Sequence, residues 1–524
     1  MASPDDSRAT PASTSDDARS VGRGALLIAL GKVVFLFAGA AINFVLPRLL
    51  SKADYGNYGV VIRMISLINM MTVIGLLQSV SKLVSEKPAL ARHSLRRALL
   101  LASVGSVAVA GLYAVLSPVV AGLLRDDALA APIALSATIT LGYGVYAVVM
   151  GTVNGLKRFK AQALLDMGFS VSKVVCILGG AVLASLLLAD STTPSVAGRG
   201  TAWAVGGFAV AAAVMAMVGL VSLRGLPAVD EHVRGQALPP RLFARRLLLF
   251  AGSVMLYQGS LNALMSADLL LVKRHVTAVD AGLAGVYNAA VNVAQLPYFG
   301  VLAITFVAFP LISATTFSED RATTARYLRT AFRYGALIAI AVSAVVAGSA
   351  GDVINLIFPR GYEEGSLALA ILVSGYSLLA LHAIGCTLLN AAGHPMASFG
   401  ATLAGTMLAV TVTLIALPVL GLVGAALGTL CGGALAFTLT VWLLRQRLGA
   451  TPLVLSSLRI VAAGVAVGAL GWVLPPRGVW LVVPFCLGMG LLFLGLLVVL
   501  RELGRDDLQV ALAPFRRRRT DHVA

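Results

Sequence analysis

Charged side chains are scarce in this chain. Asp, Glu, Lys and Arg make up 12% of its 524 residues and 58% are hydrophobic, with a mean hydropathy of +0.91. A soluble domain carries about 25% charged residues, so the shortage excludes one and predicts a polytopic membrane protein. Cysteine is scarce too, and Cys176, Cys386, Cys431 and Cys486 all lie inside apolar stretches, which excludes a disulfide framework and metal-ligand spacing. There is no P-loop, no Gly-rich phosphate cradle beside a Lys, and no His, Cys or carboxylate cluster at catalytic spacing. The six His are scattered, and only His382 is well inside a span.

What is present is a succession of apolar runs. Residues 1–22 are polar, lack a hydrophobic period and cannot bury enough apolar surface to fold. The run from Gly24 to about Leu50 is too long for a signal-peptide core and has no convincing cleavage site. A span needs about 20 apolar residues, which places fourteen at 24–50, 57–84, 96–121, 130–152, 162–189, 200–222, 247–272, 282–312, 332–350, 366–391, 397–418, 422–444, 457–474 and 478–500. The junction at Gly421 to Gly424 is so tight that the spans on either side of it also read as one long segment.

Lys and Arg near span ends collect on the cytoplasmic side. With both termini inside, 28 of the 40 Lys and Arg fall in cytoplasmic segments and eight in outer loops. The formal net charge of +17 is then mainly a topology signal and a fit to anionic lipid headgroups, not a sign of nucleic acid. The tetrad Arg516 to Arg519 is read the same way. A multi-pass protein of a bacterial inner membrane is expected.

The stretch Ser51 to Val60, S-K-A-D-Y-G-N-Y-G-V, has an echo. Asp54, Gly56, Gly59 and Val60 recur 226 residues later as Asp280, Gly282, Gly285 and Val286, and Arg48 recurs as Arg274 at that offset. Asn154 and Ala161 recur 236 residues on as Asn390 and Ala397. Each copy of D-x-G-x-x-G opens an even-numbered span, so both face one side of the membrane, and the halves relate by a pseudo-twofold axis along its normal. The expected organisation is a disordered cytoplasmic tail (1–22), a six-helix lobe (23–223), a cytoplasmic linker (224–246), a second six-helix lobe (247–446), helices thirteen and fourteen (447–500) and a basic cytoplasmic tail (501–524). The Asp before each helix most simply caps free N–H groups, and the glycines permit close packing.

With L-S-K-A-D-Y-G-N-Y-G, the segment Leu356 to Ala370 (L-I-F-P-R-G-Y-E-E-G-S-L-A-L-A) and Gly421 to Gly428 (G-L-V-G-A-A-L-G), the chain resembles the oligosaccharide and polysaccharide flippases. Their superfamily also holds the multidrug and toxin extrusion transporters and the lipid II flippase. The resemblance runs from Gly24 to about Leu500, and its motifs identify a fold better than a substrate. It implies movement of an undecaprenyl-pyrophosphate-linked oligosaccharide from the cytoplasmic to the outer leaflet by alternating access. It also implies a polyprenyl-linked glycan as substrate, other polysaccharide-assembly membrane proteins as partners, and a cleft lined by the first, second, seventh and eighth helices.

Ionisable residues within spans are costly and mark pathways by default. Lys32 lies roughly 12 Å into the first span at about 1.5 Å per residue, and Asn43 shares its face. Arg63 lies in the outer half of the second span, where it lines a cavity or snorkels to the headgroups. Lys173 shares a stripe of the fifth span with Gln162 and Asp166, about 10 Å from the latter and too far to pair directly. The resemblance favours Lys32 and Arg63 for the cleft and leaves Lys173 a structural ion-pair candidate. Where the lipid II flippase brings an arginine to the cleft on its eighth helix, this chain carries Asn288, Asn292 and Gln295. That stripe, with Tyr257, Gln258 and Asn262 of the seventh span, is a sugar-binding face or interhelical glue. Asp268 is the candidate for coupling to Na+ or H+; its plainer role is an interfacial pair with Lys273 or Arg274. No resident cofactor or metal is expected.

A glycan polymerase or ligase normally displays a large outer loop with catalytic Arg or His, and the outer loops here are short, so no enzyme is expected. A cation-coupled multidrug extruder shares the fold but usually stops at twelve helices, and a lipid II flippase would carry more cleft arginines. Lys32→Ala at normal membrane abundance is expected to halt surface glycan and leave lipid-linked units in the inner leaflet; unchanged export would remove Lys32 from the mechanism.

Overall fold

The computed structural model describes residues 31, 33–188, 199–226, 239–276, 280–301, 321–449, 451–474 and 478–504. Every regular element among them is helical. In chain order the helices are α1 (Val33–Leu49), α2 (Lys52–Glu86), α3 (Ala91–Val115), α4 (Ser117–Leu123), α5 (Ala130–Gly155), α6 (Phe159–Leu188), α7 (Arg199–Ser222), α8 (Pro240–Leu264) and α9 (Ala267–His275). They continue with α10 (Leu283–Ala294), α11 (Arg321–Gly348), α12 (Ala350–Ile357), α13 (Ser366–Ala391), α14 (Pro395–Leu420), α15 (Leu422–Leu448), α16 (Val454–Val473) and α17 (Val479–Val499).

Twelve helices among the described residues are long and apolar enough to cross a membrane, and each overlaps one of the expected spans. The first and eighth spans are described over α1 and over α10 with its continuation at 296–301. The protein is an all-α polytopic membrane protein. The junction at Gly421 is a real break. Gly421 has φ 56°, a conformation that strains any residue with a Cβ, and the chain reverses there from α14 into α15. Gly424 then lies so close to the Ala416 carbonyl that no side chain would fit.

The seventh span is not continuous. It breaks at Met265 and Ser266 into α8 and α9, where a single helix over 247–272 is expected from hydropathy. The cap of α2 also differs from expectation. Ser51 accepts the Asp54 N–H at 3.1 Å and donates its hydroxyl to the Asp54 carboxylate at 3.0 Å, so Ser51 is the N-cap and Asp54 its reciprocal partner.

The chain forms two compact units. The first comprises residues 1–49, 68–119 and 128–255, and the second comprises 50–67, 120–127 and 256–524. A single helix, α2, therefore contributes its first part to the second unit and its remainder to the first. The first unit packs Leu76, Val80 and Val84 of α2 against Ala98 of α3, Val149 of α5 and Leu247 of α8. Between lipid-embedded helices small residues replace the hydrophobic effect as the means of close approach, and Gly142 on Ala212 and Gly207 on the Cys176 carbonyl serve that purpose here.

In the second unit Phe332 and Ala339 of α11 pack with Leu381 and Ile384 of α13, Ile460 and Val467 of α16, and Phe493 of α17. α16 joins α11 at Gly348, which meets Gly468 and Gly471 backbone to backbone, and α17 enters the core through Met489, Phe493 and Leu497.

Residues 50–67 belong to the second unit because the two copies of D-x-G-x-x-G cross each other there. A Cβ on Gly56 would strike the Gly285 amide, one on Gly59 would strike the Asn288 amide group, and one on Gly285 would overlap the Lys52 carbonyl. Gly285→Ala is therefore expected to cost about 1–3 kcal/mol of stability, the usual penalty for overpacking, read as a lowered Tm of the purified chain. Gly105→Ala, whose methyl meets nothing within 4 Å, should leave Tm unchanged or raised. Equal behaviour of the two variants would refute the crossing.

Candidate functional site

The break between α8 and α9 organises a polar cluster in the second unit. In a continuous helix the Leu269 N–H would bond the Met265 carbonyl. Instead it donates to Asp268 Oδ1 at 2.7 Å, so the Met265 carbonyl must find other donors. Arg63 Nη1 reaches it at 2.8 Å from α2, and the Tyr376 hydroxyl reaches it at 3.1 Å from α13.

Arg63 has a second partner. The Gln295 amide, with its oxygen turned to the guanidinium, accepts from Nη1 at 2.9 Å and Nη2 at 2.6 Å. Arg63 is half-buried and tied to α10 and to the α8–α9 break, and both bonds point into the protein.

Asp268 lies on α9, 3% exposed. Its Oδ2 accepts from Thr429 of α15 at 2.8 Å and from the Tyr287 hydroxyl at 3.0 Å. A carboxylate away from water needs such donors to remain tolerable. The interfacial pairing of Asp268 with Lys273 is not what the structure holds: Lys273 Nζ lies 2.7 Å from Asp126 Oδ2, its side chain only 6% exposed. That ion pair joins residues 120–127 to α9 within the second unit.

The amide stripe of α10 lies along α2. Asn288 Nδ2 donates to the Tyr55 carbonyl at 3.4 Å, Asn292 Nδ2 to the Tyr55 hydroxyl at 3.0 Å, and Gln295 meets Arg63. Tyr55 and Arg63, two turns apart on α2, thus face Asn288, Asn292 and Gln295 in the same chain order, as two neighbouring helices running the same way require. The stripe is engaged as interhelical bonding in this conformation. Tyr55 also carries the end of the cluster, packing edge-on against Tyr362 at 6.3 Å and tilted against Phe358 at 6.4 Å. The two family-like motifs, one at 50–59 and one at 356–370, meet at these rings.

The other sequence candidates are placed as follows. On α8, Tyr257, Gln258 and Asn262 are half-buried, and Asn262 Nδ2 is spent on the Gln258 carbonyl of its own helix at 2.9 Å. Asn43 and Lys173 are half-buried and belong to the first unit. Lys173 has no carboxylate partner among the described residues: its ammonium lies 4.6 Å from the centroid of the Phe208 ring, while the Tyr146 hydroxyl donates to Asp166 at 3.4 Å. Lys32 lies outside the described residues.

Five groups of the cluster have no warning in the sequence: the Met265 carbonyl and the side chains of Tyr55, Tyr287, Tyr376 and Thr429. No Pro or Gly stands at the break, whose residues read N-A-L-M-S-A-D, so the polar pair Ser266 and Asp268 is the sole trace of it.

The described residues thus form an all-helical membrane fold in which a broken helix is held by a half-buried arginine and a hydroxyl-bound carboxylate. The solved lipid II flippase MurJ, in its inward closed conformation, superposes with a TM-score of 0.70 at 13% identity, covering 91% of this chain and 99% of that one. An inward-facing multidrug resistance MATE family transporter of the MOP superfamily gives 0.59 at 16% identity, covering 80% and 94%. The family described as "Polysaccharide biosynthesis protein" matches residues 21–316, more than half of the chain. The chain belongs to that polysaccharide biosynthesis family. An uncharacterised membrane protein of Methanocaldococcus jannaschii is 24% identical over 209 residues, 40% of this chain, and the chain spans 41% of that curated relative.

Replacing Arg63 with Met leaves the Gln295 oxygen without its donor. A loss of about 1–3 kcal/mol is expected, the cost of an unsatisfied buried acceptor, measured by thermal melting in detergent. Adding Gln295→Met should cost much less than the sum of the two single changes, with a coupling of about 0.5–3 kcal/mol. Strict additivity would show that the two residues do not interact.

Proposed function

We propose that this protein is a flippase that moves a polyprenyl-pyrophosphate-linked oligosaccharide to the outer leaflet of the membrane by alternating access, within polysaccharide biosynthesis. Undecaprenyl pyrophosphate is the proposed carrier, and a bacterial inner membrane with both chain termini in the cytoplasm is the proposed setting. The observation that carries the reading is Arg63, a cation kept within a membrane helix and directed inward by a carbonyl and an amide. Such a group answers the need of a pyrophosphate for positive charge away from the headgroups. Lys32 is proposed to serve the same anion, and the amides of α10 to exchange their partners on α2 for sugar hydroxyls when the crossing opens.

Asp268 is the proposed coupling residue. Its carboxylate and the Thr429 and Tyr287 hydroxyls bring oxygen atoms together, a donor set suited to Na+ as cargo or to a proton on the carboxylate. The appended pair α16 and α17 supports a lipid-linked substrate over a free drug, because a polyprenyl tail gains a further surface there.

A strain lacking the protein is expected to lose surface polysaccharide while lipid-linked oligosaccharide accumulates where an impermeant label applied to spheroplasts does not reach it. Normal surface glycan together with a fall in drug resistance would instead establish extrusion.

A further inference from the structure

The end of the chain that the structure describes holds a second cluster of charge, away from Arg63 and Asp268. Arg501, at φ 57°, turns the backbone out of α17 so that Glu502 folds back into the protein. The Glu502 residue is 7% exposed. Its Oε1 accepts from Arg333 Nε of α11 at 2.8 Å and from Ser456 of α16 at 2.5 Å, and Arg333 also bonds its backbone carbonyl. Arg459 is held more loosely, with Nη1 3.8 Å from Glu502 Oε2 and 3.4 Å from the Arg501 carbonyl, and its side chain is 35% exposed.

These residues line an open cleft of about 570 Å³ at the start of α16. Val454, Leu455 and Ser456, the first turn of that helix, form part of its wall, and no side chain caps the helix. The first amides of a helix lack intrahelical acceptors and carry the positive end of its dipole. The cleft thus gathers two guanidinium groups and a helix N-terminus around one carboxylate. Glu502 offsets one of these charges, pairing closely with Arg333 at 2.8 Å and loosely with Arg459 at 3.8 Å.

Beside the charge lies a continuous apolar surface, Leu453, Val454, Leu455 and Leu458, 48–72% exposed. Phosphate chemistry at one end and hydrocarbon at the other match one occupant. We propose that this cleft is a binding site for an anionic phospholipid, its phosphate taken by Arg459 and the first-turn amides of α16, its acyl chains lying along the Leu453–Leu458 surface. The site would tie the appended helix pair to α11 through lipid as well as through Glu502, whether or not the flippase reading holds.

The test is native mass spectrometry of the full-length chain in detergent with phosphatidylglycerol, phosphatidylcholine or inorganic phosphate. Wild type is expected to retain phosphatidylglycerol at least fivefold better than phosphatidylcholine, and Arg459→Gln to lose most of that preference. Arg445→Gln, which removes the same charge from the end of α15, should keep it. Val454→Asp places a carboxylate at the mouth of the cleft while favouring the helix N-terminus, so it should lower lipid retention without lowering Tm. Equal retention by wild type and Arg459→Gln, or an equal loss in Arg445→Gln, overturns the site. Displacement of the lipid by millimolar inorganic phosphate overturns the lipid assignment in favour of a free anion.

Discussion

The polar cluster of the second unit depends on a place where no side chain fits. Gly56 and Gly285 bring the backbones of α2 and α10 together so closely that a methyl on either would strike main-chain atoms. Only at that approach does the α10 amide stripe reach Tyr55 and Arg63, and only with Arg63 in place does the Met265 carbonyl find a charged donor. In a lipid-embedded bundle, where apolar burial gives little preference between helix neighbours, such backbone contact and the polar bonds it permits decide which helices meet.

The break after α8 is the second determinant and follows a different rule. Within hydrocarbon every backbone group must be satisfied by protein. The carbonyl released at Met265 therefore demands donors, and the arginine and tyrosine that supply them come from helices far apart in the chain. Asp268 takes the amide that the break releases. One local departure from helical bonding thus fixes a cation, a carboxylate and three hydroxyl groups in one region.

The twelve spans found among the described residues were legible in the sequence because hydrophobicity over about 20 residues is a dense signal. The repeat of D-x-G-x-x-G was legible as duplication, but not as a contact, since an offset of 226 residues says nothing of which copies touch. It took the structure to show that the copies cross each other. The partners of Asp268 were invisible for another reason: Thr429 sits in a run of Gly, Ala and Leu, and Tyr287 beside an amide stripe that drew attention to its neighbours. Where short-range chemistry was at stake the expectation came close, since the cap of α2 involves Asp54 after all, but through the hydroxyl of Ser51. For Lys173 the search for a carboxylate overlooked an aromatic face, which leaves no spacing rule in sequence.

One helix belongs to both units. The first part of α2, to Leu67, groups with the second unit, and the part from Ile68 groups with the first. Four residues beyond Ile68, the Thr72 hydroxyl bonds the Ile68 carbonyl, an arrangement that competes with the backbone ladder and bends helices. The same competition recurs seven residues on, where the Ser79 hydroxyl bonds the Gly75 carbonyl, so the later part of α2 meets it twice.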